Sequence, residues 1–149
     1  MLSLQEISDR LEIQQLMVDY SDAIDRMDFD ALDRLFTPDA YIDYRAMGGI
    51  DGGYPEVKAW LAGALARFPH HQHMLGNFDV KLAGDAATCR AICFNPMAMA
   101  LPDGSSQVMF FGLWYVDQFV RTTAGWRICQ LVEERCYDFN VPQGVGGGN

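Results

Sequence analysis

From His71 to Phe139 the chain reads as four long β-patterned segments: His71–Leu82, Ala86–Ala100, Gln107–Arg121 and Trp126–Phe139. Short turn signals separate them, namely Ala83-Gly84-Asp85, Pro102-Asp103-Gly104-Ser105 and Thr122-Thr123-Ala124-Gly125. Consecutive strands joined by so few residues run antiparallel, because a parallel crossover needs about a dozen or more. Strands of this length also have to twist and curve. Asn95-Pro96 inside the second segment predicts a bulge or bend, since proline cannot donate to the ladder.

Helical patterns come first. Residues Leu4 to Met27 form one long helix whose broad apolar face holds Ile13, Leu16, Met17, Tyr20, Ala23, Ile24 and Met27. Glu12, Gln15, Asp19, Asp22 and Arg26 make its solvated side. Asp25 belongs to neither, continuing a narrower stripe through Ile7, Leu11 and Val18. It also falls in the last turn, where the helix dipole disfavours negative charge, so it needs a cationic or hydrogen-bonding partner. Asp30 is the expected N-cap of a short helix carrying Leu32, Leu35 and Phe36, ended by Thr37-Pro38. "AYIDYR" is a short strand with Ala40, Ile42 and Tyr44 on one side and Tyr41, Asp43 and Arg45 on the other. "AMGGIDGG" is a flexible loop or lid. Pro55 opens a helix in which Val57, Trp60, Leu61, Ala64, Leu65 and Phe68 recur at helical spacing. Helices followed by a curved antiparallel sheet define an α+β fold, with the helices over the concave face and a cavity between. The 149 residues fit one domain, and the tail from 143 to 149 is expected to fray.

Eleven basic against twenty acidic residues give a net charge of −9, and no Lys/Arg cluster interrupts it. Nucleic acid and anionic membranes are therefore not expected partners. No apolar run spans a bilayer, and "MLSLQEISDRLEIQQ" is charged too early for a signal peptide, so the expected location is the cytoplasm. Cys89, Cys93, Cys129 and Cys136 lie in apolar strand stretches without C-x-x-C spacing and read as reduced core or pocket-lining thiols. The chain has no G-x-G-x-x-G, P-loop, G-x-S-x-G or H-E-x-x-H motif. That disfavours cofactor redox and phosphoryl transfer and leaves proton transfer without a cofactor.

All three histidines fall in "HHQHMLGN", His70 to Asn77, between the second long helix and the first long strand. Imidazole is the side chain suited to taking and giving a proton near neutral pH. A carboxylate on one ring nitrogen fixes the tautomer and stabilises the imidazolium, and Asp25 with His73 fits that pairing by residue type. The plainer alternatives are a solvated acid at a helix end and a buried histidine bonded to backbone. His71 and His73 share a strand face, but no third ligand is marked by spacing, so no metal site is assigned. His70 and His71 are expected to be solvated or interfacial. Tyr44 and Tyr115 are hydrogen-bond donors or packing residues, and "MFFGLWY" is core or subunit interface.

The opening "DRLEIQQLMVDYSDAIDRMDFDALDRLFTPDAYIDYR" and the strand pair "GLWYVDQFVRTTAGWRI" resemble the SnoaL-like group of the nuclear transport factor 2-like superfamily. The resemblance covers residues 4 to 139. It implies a cone-shaped α+β barrel, three helices on a strongly curved mixed or antiparallel sheet with a deep apolar pocket. Within the group the chain is similar to scytalone dehydratases and hexachlorocyclohexane dehydrochlorinases. Both use an aspartate near the end of the first helix and a histidine at the head of a strand, positions that match Asp25 and His73. Tyr44 in "YIDYR" matches the water-holding tyrosine of the dehydratases. Their second active-site tyrosine is Ile24 here, their second histidine position falls at Met97, and their serine and asparagine positions fall near Leu113 and Tyr115.

The resemblance implies a lyase without a cofactor, in which His73 removes a proton from a small aromatic or alicyclic substrate. Asp25 orients the imidazole and Tyr44 polarises a carbonyl or assists the leaving group, while Tyr20, Ile24, Trp60, Met97, Leu113 and Tyr115 contact the substrate. An isomerase or dehydrohalogenase would use the same pair. A binding module, or a part like the small subunit of a dioxygenase, would not need it. A homo-oligomer is expected, trimer ahead of dimer.

Overall fold

In the computed structural model, which describes residues 1–145, Ser3 opens the first helix, α1 (Leu4–Asp25). Its hydroxyl accepts the Glu6 N–H, and the Glu6 carboxylate accepts the Ser3 N–H, so two otherwise unpaired donors are satisfied reciprocally. Ile13, Met17, Tyr20, Ala23 and Ile24 are buried. The helix stops earlier than its apolar spacing predicts. Met27 turns to φ 56° and stays exposed, and the Asp28 N–H closes the end on the Ala23 carbonyl at 2.9 Å.

Asp28, not Asp30, caps the short 3-10 helix Phe29–Arg34. Phe36 already belongs to strand β1 (Phe36–Asp43), so Thr37-Pro38 does not end a helix but sits inside the strand. The proline is tolerated because the ladder to the neighbouring strand is irregular between Phe36 and Tyr41. The glycine-rich stretch is ordered rather than a loose lid. After a single turn at Arg45–Met47 and a left-handed Gly48, strand β2 (Asp51–Gly53) pairs antiparallel with β1. Helix α2 (Tyr54–Leu65) follows, with Pro55 in its first turn and Val57 and Leu61 buried.

The strands that follow are β3 (His70–His71), β4 (Met74–Ala83), β5 (Ala86–Ala100), β6 (Ser106–Thr122) and β7 (Gly125–Phe139). Their order is β2-β1-β7-β6-β5-β3, with β4 also on β5. From β4 to β7 the sheet is an antiparallel meander, while β1 joins β7 in parallel and makes it mixed. The sheet curls, and α1 and α2 cover its inner side.

Three irregularities set the geometry of the inner side. First, Asn95-Pro96 does not disturb β5 against β6, whose register is unbroken. Its effect is on the facing strands: β3 and β4 as far as Gly76 keep one register on β5, but Gln72 and His73 drop out of the ladder, and β4 shifts register only further on, between Gly76 and Asp79. The Gln72 N–H still reaches the Pro96 carbonyl at 3.1 Å. Proline has no N–H to return, so the Asn95 side-chain amide donates to the Gln72 carbonyl instead, at 3.0 Å. The other two are bulges in β7, where the pairing with β6 skips Cys129 and then Cys136. Each extra residue reverses which side chains face inward. Trp126 and Ile128 point in before the first bulge, and Leu131, Glu133 and Arg135 lie opposite Asp117, Tyr115 and Leu113 after it.

The cysteines therefore divide. Cys89 and Cys93 are core thiols, pushed up to about 12 by burial, whereas Cys129 and Cys136 are bulge residues and Cys136 is exposed, not a core or pocket thiol. Ile7, Leu11 and Val18 face solvent, so the stripe that singles out Asp25 is covered only at its last position, beneath the β3–β4 junction. The tail from 143 lies partly outside the described residues. Within them Val145 packs against the core instead of fraying. No described helix is long and apolar enough to cross a membrane.

Candidate active site

Asp25 is the last residue of α1, and the β3–β4 junction passes over it. The Nδ1 of His73 lies 2.6 Å from Oδ1 and the His73 backbone N–H donates to Oδ2 at 2.9 Å. The Nδ1 of His71 lies 3.3 Å from the same Oδ1. The two imidazoles are 3% and 8% exposed, so His71 is not solvated as its sequence context suggests. Burial alone would push the Asp25 carboxyl up, but the hydrogen bonds from His71 and His73 outweigh it and hold the group well below the usual carboxylate range. Three N–H donors thus offset the unfavourable helix terminus. With Nδ1–H given to the carboxylate, Nε2 of each ring carries the free lone pair.

His73, but not Asp25, lines the cavity, which has a volume of about 630 Å³. Every other residue expected to act or to contact substrate lies on its wall: Tyr20, Ile24, Tyr44, Trp60, Met97, Leu113 and Tyr115. The Tyr20 and Tyr44 hydroxyls share a hydrogen bond of 2.5 Å, and the Tyr115 ring meets Tyr20 edge-on at 5.7 Å. Burial pushes all three phenols up, so they stay neutral.

Asp25, His71 and His73 also place three metal-type donor atoms within 4.8 Å of one another. Ligands about 2.0–2.1 Å from a common ion sit roughly 2.9–3.4 Å apart. The 2.6 Å contact between His73 and Asp25 is tighter, the spacing of a shared proton.

Two features are not anticipated from the sequence. Asn95 lines the cavity beside His73, after giving its amide to the Gln72 carbonyl. Glu133 lines it from β7, with Asp117 diagonal to it on β6 and only 1% exposed. Burial pushes both carboxyls well above the usual range. Acidic residues inside apolar strands are the available signal, but strict alternation from Trp126 and Ile128 would turn Glu134 inward instead.

A curled mixed sheet closed by helices around one cavity, with the polar groups at one rim and along one wall, defines a nuclear transport factor 2-like fold. The chain belongs to the SnoaL-like domain family, which matches residues 5–132. The uncharacterized protein Rv2910c of Mycobacterium tuberculosis is 64% identical over 137 residues, 92% of each chain. A scytalone dehydratase candidate from Novosphingobium aromaticivorans superposes with a TM-score of 0.79 at 18% identity, over 96% of this chain and 92% of the other. Hexachlorocyclohexane dehydrochlorinase LinA-type3 from Novosphingobium barchaimii gives 0.78 at 18% identity over 98% of both. At such identities the likeness is one of fold.

Proposed function

We propose that this protein is a lyase acting without a cofactor on a small aromatic or alicyclic compound, with His73 as general base. The observation that carries the reading is the 2.6 Å contact of His73 Nδ1 with Asp25, on a ring that lines the cavity. Nε2 takes a proton from a carbon next to a carbonyl, Asp25 holds the tautomer and stabilises the imidazolium, and the Tyr20–Tyr44 pair orients the carbonyl oxygen. Neighbouring folds bearing dehydratase and dehydrochlorinase names support elimination over isomerisation.

Deuterium exchange at carbon tests the base whatever the fate of the carbanion. Cyclic ketones incubated in heavy water are expected to exchange their α-hydrogens with the protein present. His73→Ala is expected to lose about 10²–10⁴-fold of that rate while remaining folded. Exchange by the variant at the parental rate rejects the assignment, and product analysis separates elimination from isomerisation.

A further inference from the structure

The base proposed above accounts for one end of an elimination. Something must also receive the departing group. Halide leaves as an anion and needs no proton, whereas hydroxide is a poor leaving group unless an acid protonates its oxygen as the bond breaks. The substrate class is therefore written in whether the cavity wall holds an acid able to give its proton away.

The phenols do not meet that need. Tyr20 and Tyr44 are engaged with each other, and a buried phenol resists becoming a phenolate. Glu133 is different in kind. The bulge at Cys129 turns it inward, its half-buried side chain lines the cavity, and β5 and β6 separate its strand from the β3–β4 junction that carries His73. Base and acid thus enter one space from two sides.

We propose that Glu133 is the proton donor to the departing oxygen, and that the substrate is a β-hydroxy carbonyl compound that loses water. The proposal rests on the reading of His73 as base. His73 Nε2 takes the α-proton, the C–H electron pair becomes the new C=C bond, and the C–O pair leaves on oxygen. That oxygen takes the Glu133 proton and departs as water. His73 is then an imidazolium and Glu133 a carboxylate, and the surplus proton returns from one to the other through solvent when product leaves.

The surroundings keep the acid loaded. Burial acts first against a charge on Glu133, Asp117 on β6 and Asp43 on β1 act in the same sense, and the Tyr115 hydroxyl offsets only part of it. Tyr20 and Tyr44 face it as neutral phenols, and Cys93 as a neutral thiol. Arg135, two residues along on β7, donates through Nε to the Ala46 carbonyl and through Nη1 to Asp138, while its buried Nη2 has no partner among the described residues. Asp117 is itself too deeply buried to reach a ligand. A charge on Asp117 would act against one on Glu133.

3-Hydroxycyclohexanone and 3-chlorocyclohexanone serve as matched probes. Glu133→Gln keeps shape and a hydrogen-bond donor but cannot surrender a proton. It is expected to slow water loss about 10²–10⁴-fold more than it slows α-deuterium exchange or chloride loss. A merely structural role would depress all three together, and equal water loss by parent and variant overturns the proposal. Absence of α-exchange in the parent, or its persistence in His73→Ala, instead overturns the underlying reading of the base. Two measurements on the parent stand whether or not the variant folds. Infrared spectra at pH 7 are expected to show protonated-carboxyl bands, one of them lost in Glu133→Gln where it folds, and a parent spectrum without such bands overturns the proposal. So does a parent that eliminates chloride but never water.

Discussion

Asp25 accepts from three nitrogens, and that arrangement has a pH signature. Its folded-state pKa lies below the ordinary aspartate value of 3.8, so folding favours the carboxylate. The stabilisation is complete above the unfolded value and is lost as pH falls through the folded one. Melting temperature is therefore expected to decline below about pH 4. In Asp25→Asn that acid-side decline should be shallower and the neutral-pH stability lower. An unchanged acid limb would show that the histidines do not hold the carboxylate. Asp9, paired through both oxygens with Arg121 at 2.8 and 2.7 Å and capped by the Trp126 ring N–H, is depressed in the same direction and contributes to the same limb.

Elements meet where small residues allow it. Gly49 sits between β1 and α2, where an added Cβ would lie 2.7 Å from the Tyr44 Cβ, 2.9 Å from the end of the Trp60 ring and 3.1 Å from the Tyr44 carbonyl. Trp60 can give way, but the Tyr44 Cβ and carbonyl belong to the chain path and cannot. Gly49→Ala is thus expected to cost about 1–3 kcal/mol through overpacking and to widen the Tyr20–Tyr44 contact. Chemical denaturation measures the first, and a shift in α-exchange KM for a cyclic ketone the second. A variant equal to the parent in both would mean that this hairpin yields freely. At its other end α1 is tied down differently, by Asp9 to the β6–β7 hairpin, where Arg121 also stacks on Trp126 at 4.4 Å.

Across the whole molecule the sheet has two unlike faces. The inner one is the core and cavity. The outer one carries Phe94, Phe110 and Phe139 in ring contact at 5.3 and 4.9 Å, flanked by exposed Ile92, Val108 and Tyr137. Contiguous apolar surface of this kind is uncommon on a monomer. We propose that copies of the chain meet there. Sedimentation equilibrium is expected to give the mass of two or three chains, reduced by Val108→Glu with Phe139→Glu. A single-chain mass for the parent at every concentration removes the idea.

Periodicity reads local geometry, and what depends on local geometry was legible in the residues. The apolar repeat of α2, the strand limits from Ala86 to Ala100 and the inward Ala40–Ile42–Tyr44 face all follow from spacing along a few turns or pleats. Asp25 stands out because it lies off both faces of the first helix, in the last turn where its charge needs a partner, and His73 because it lies in the cluster that holds all three histidines. The burial of His71 does not, since it depends on the end of α1 passing beneath two residues of a strand 46 positions away. Nor does Glu133. A bulge inserts one residue without changing composition, so no period discloses that Glu133 rather than Glu134 turns inward. The pairing of β7 with β6 decides it, and that pairing exists only once the sheet has closed around its cavity.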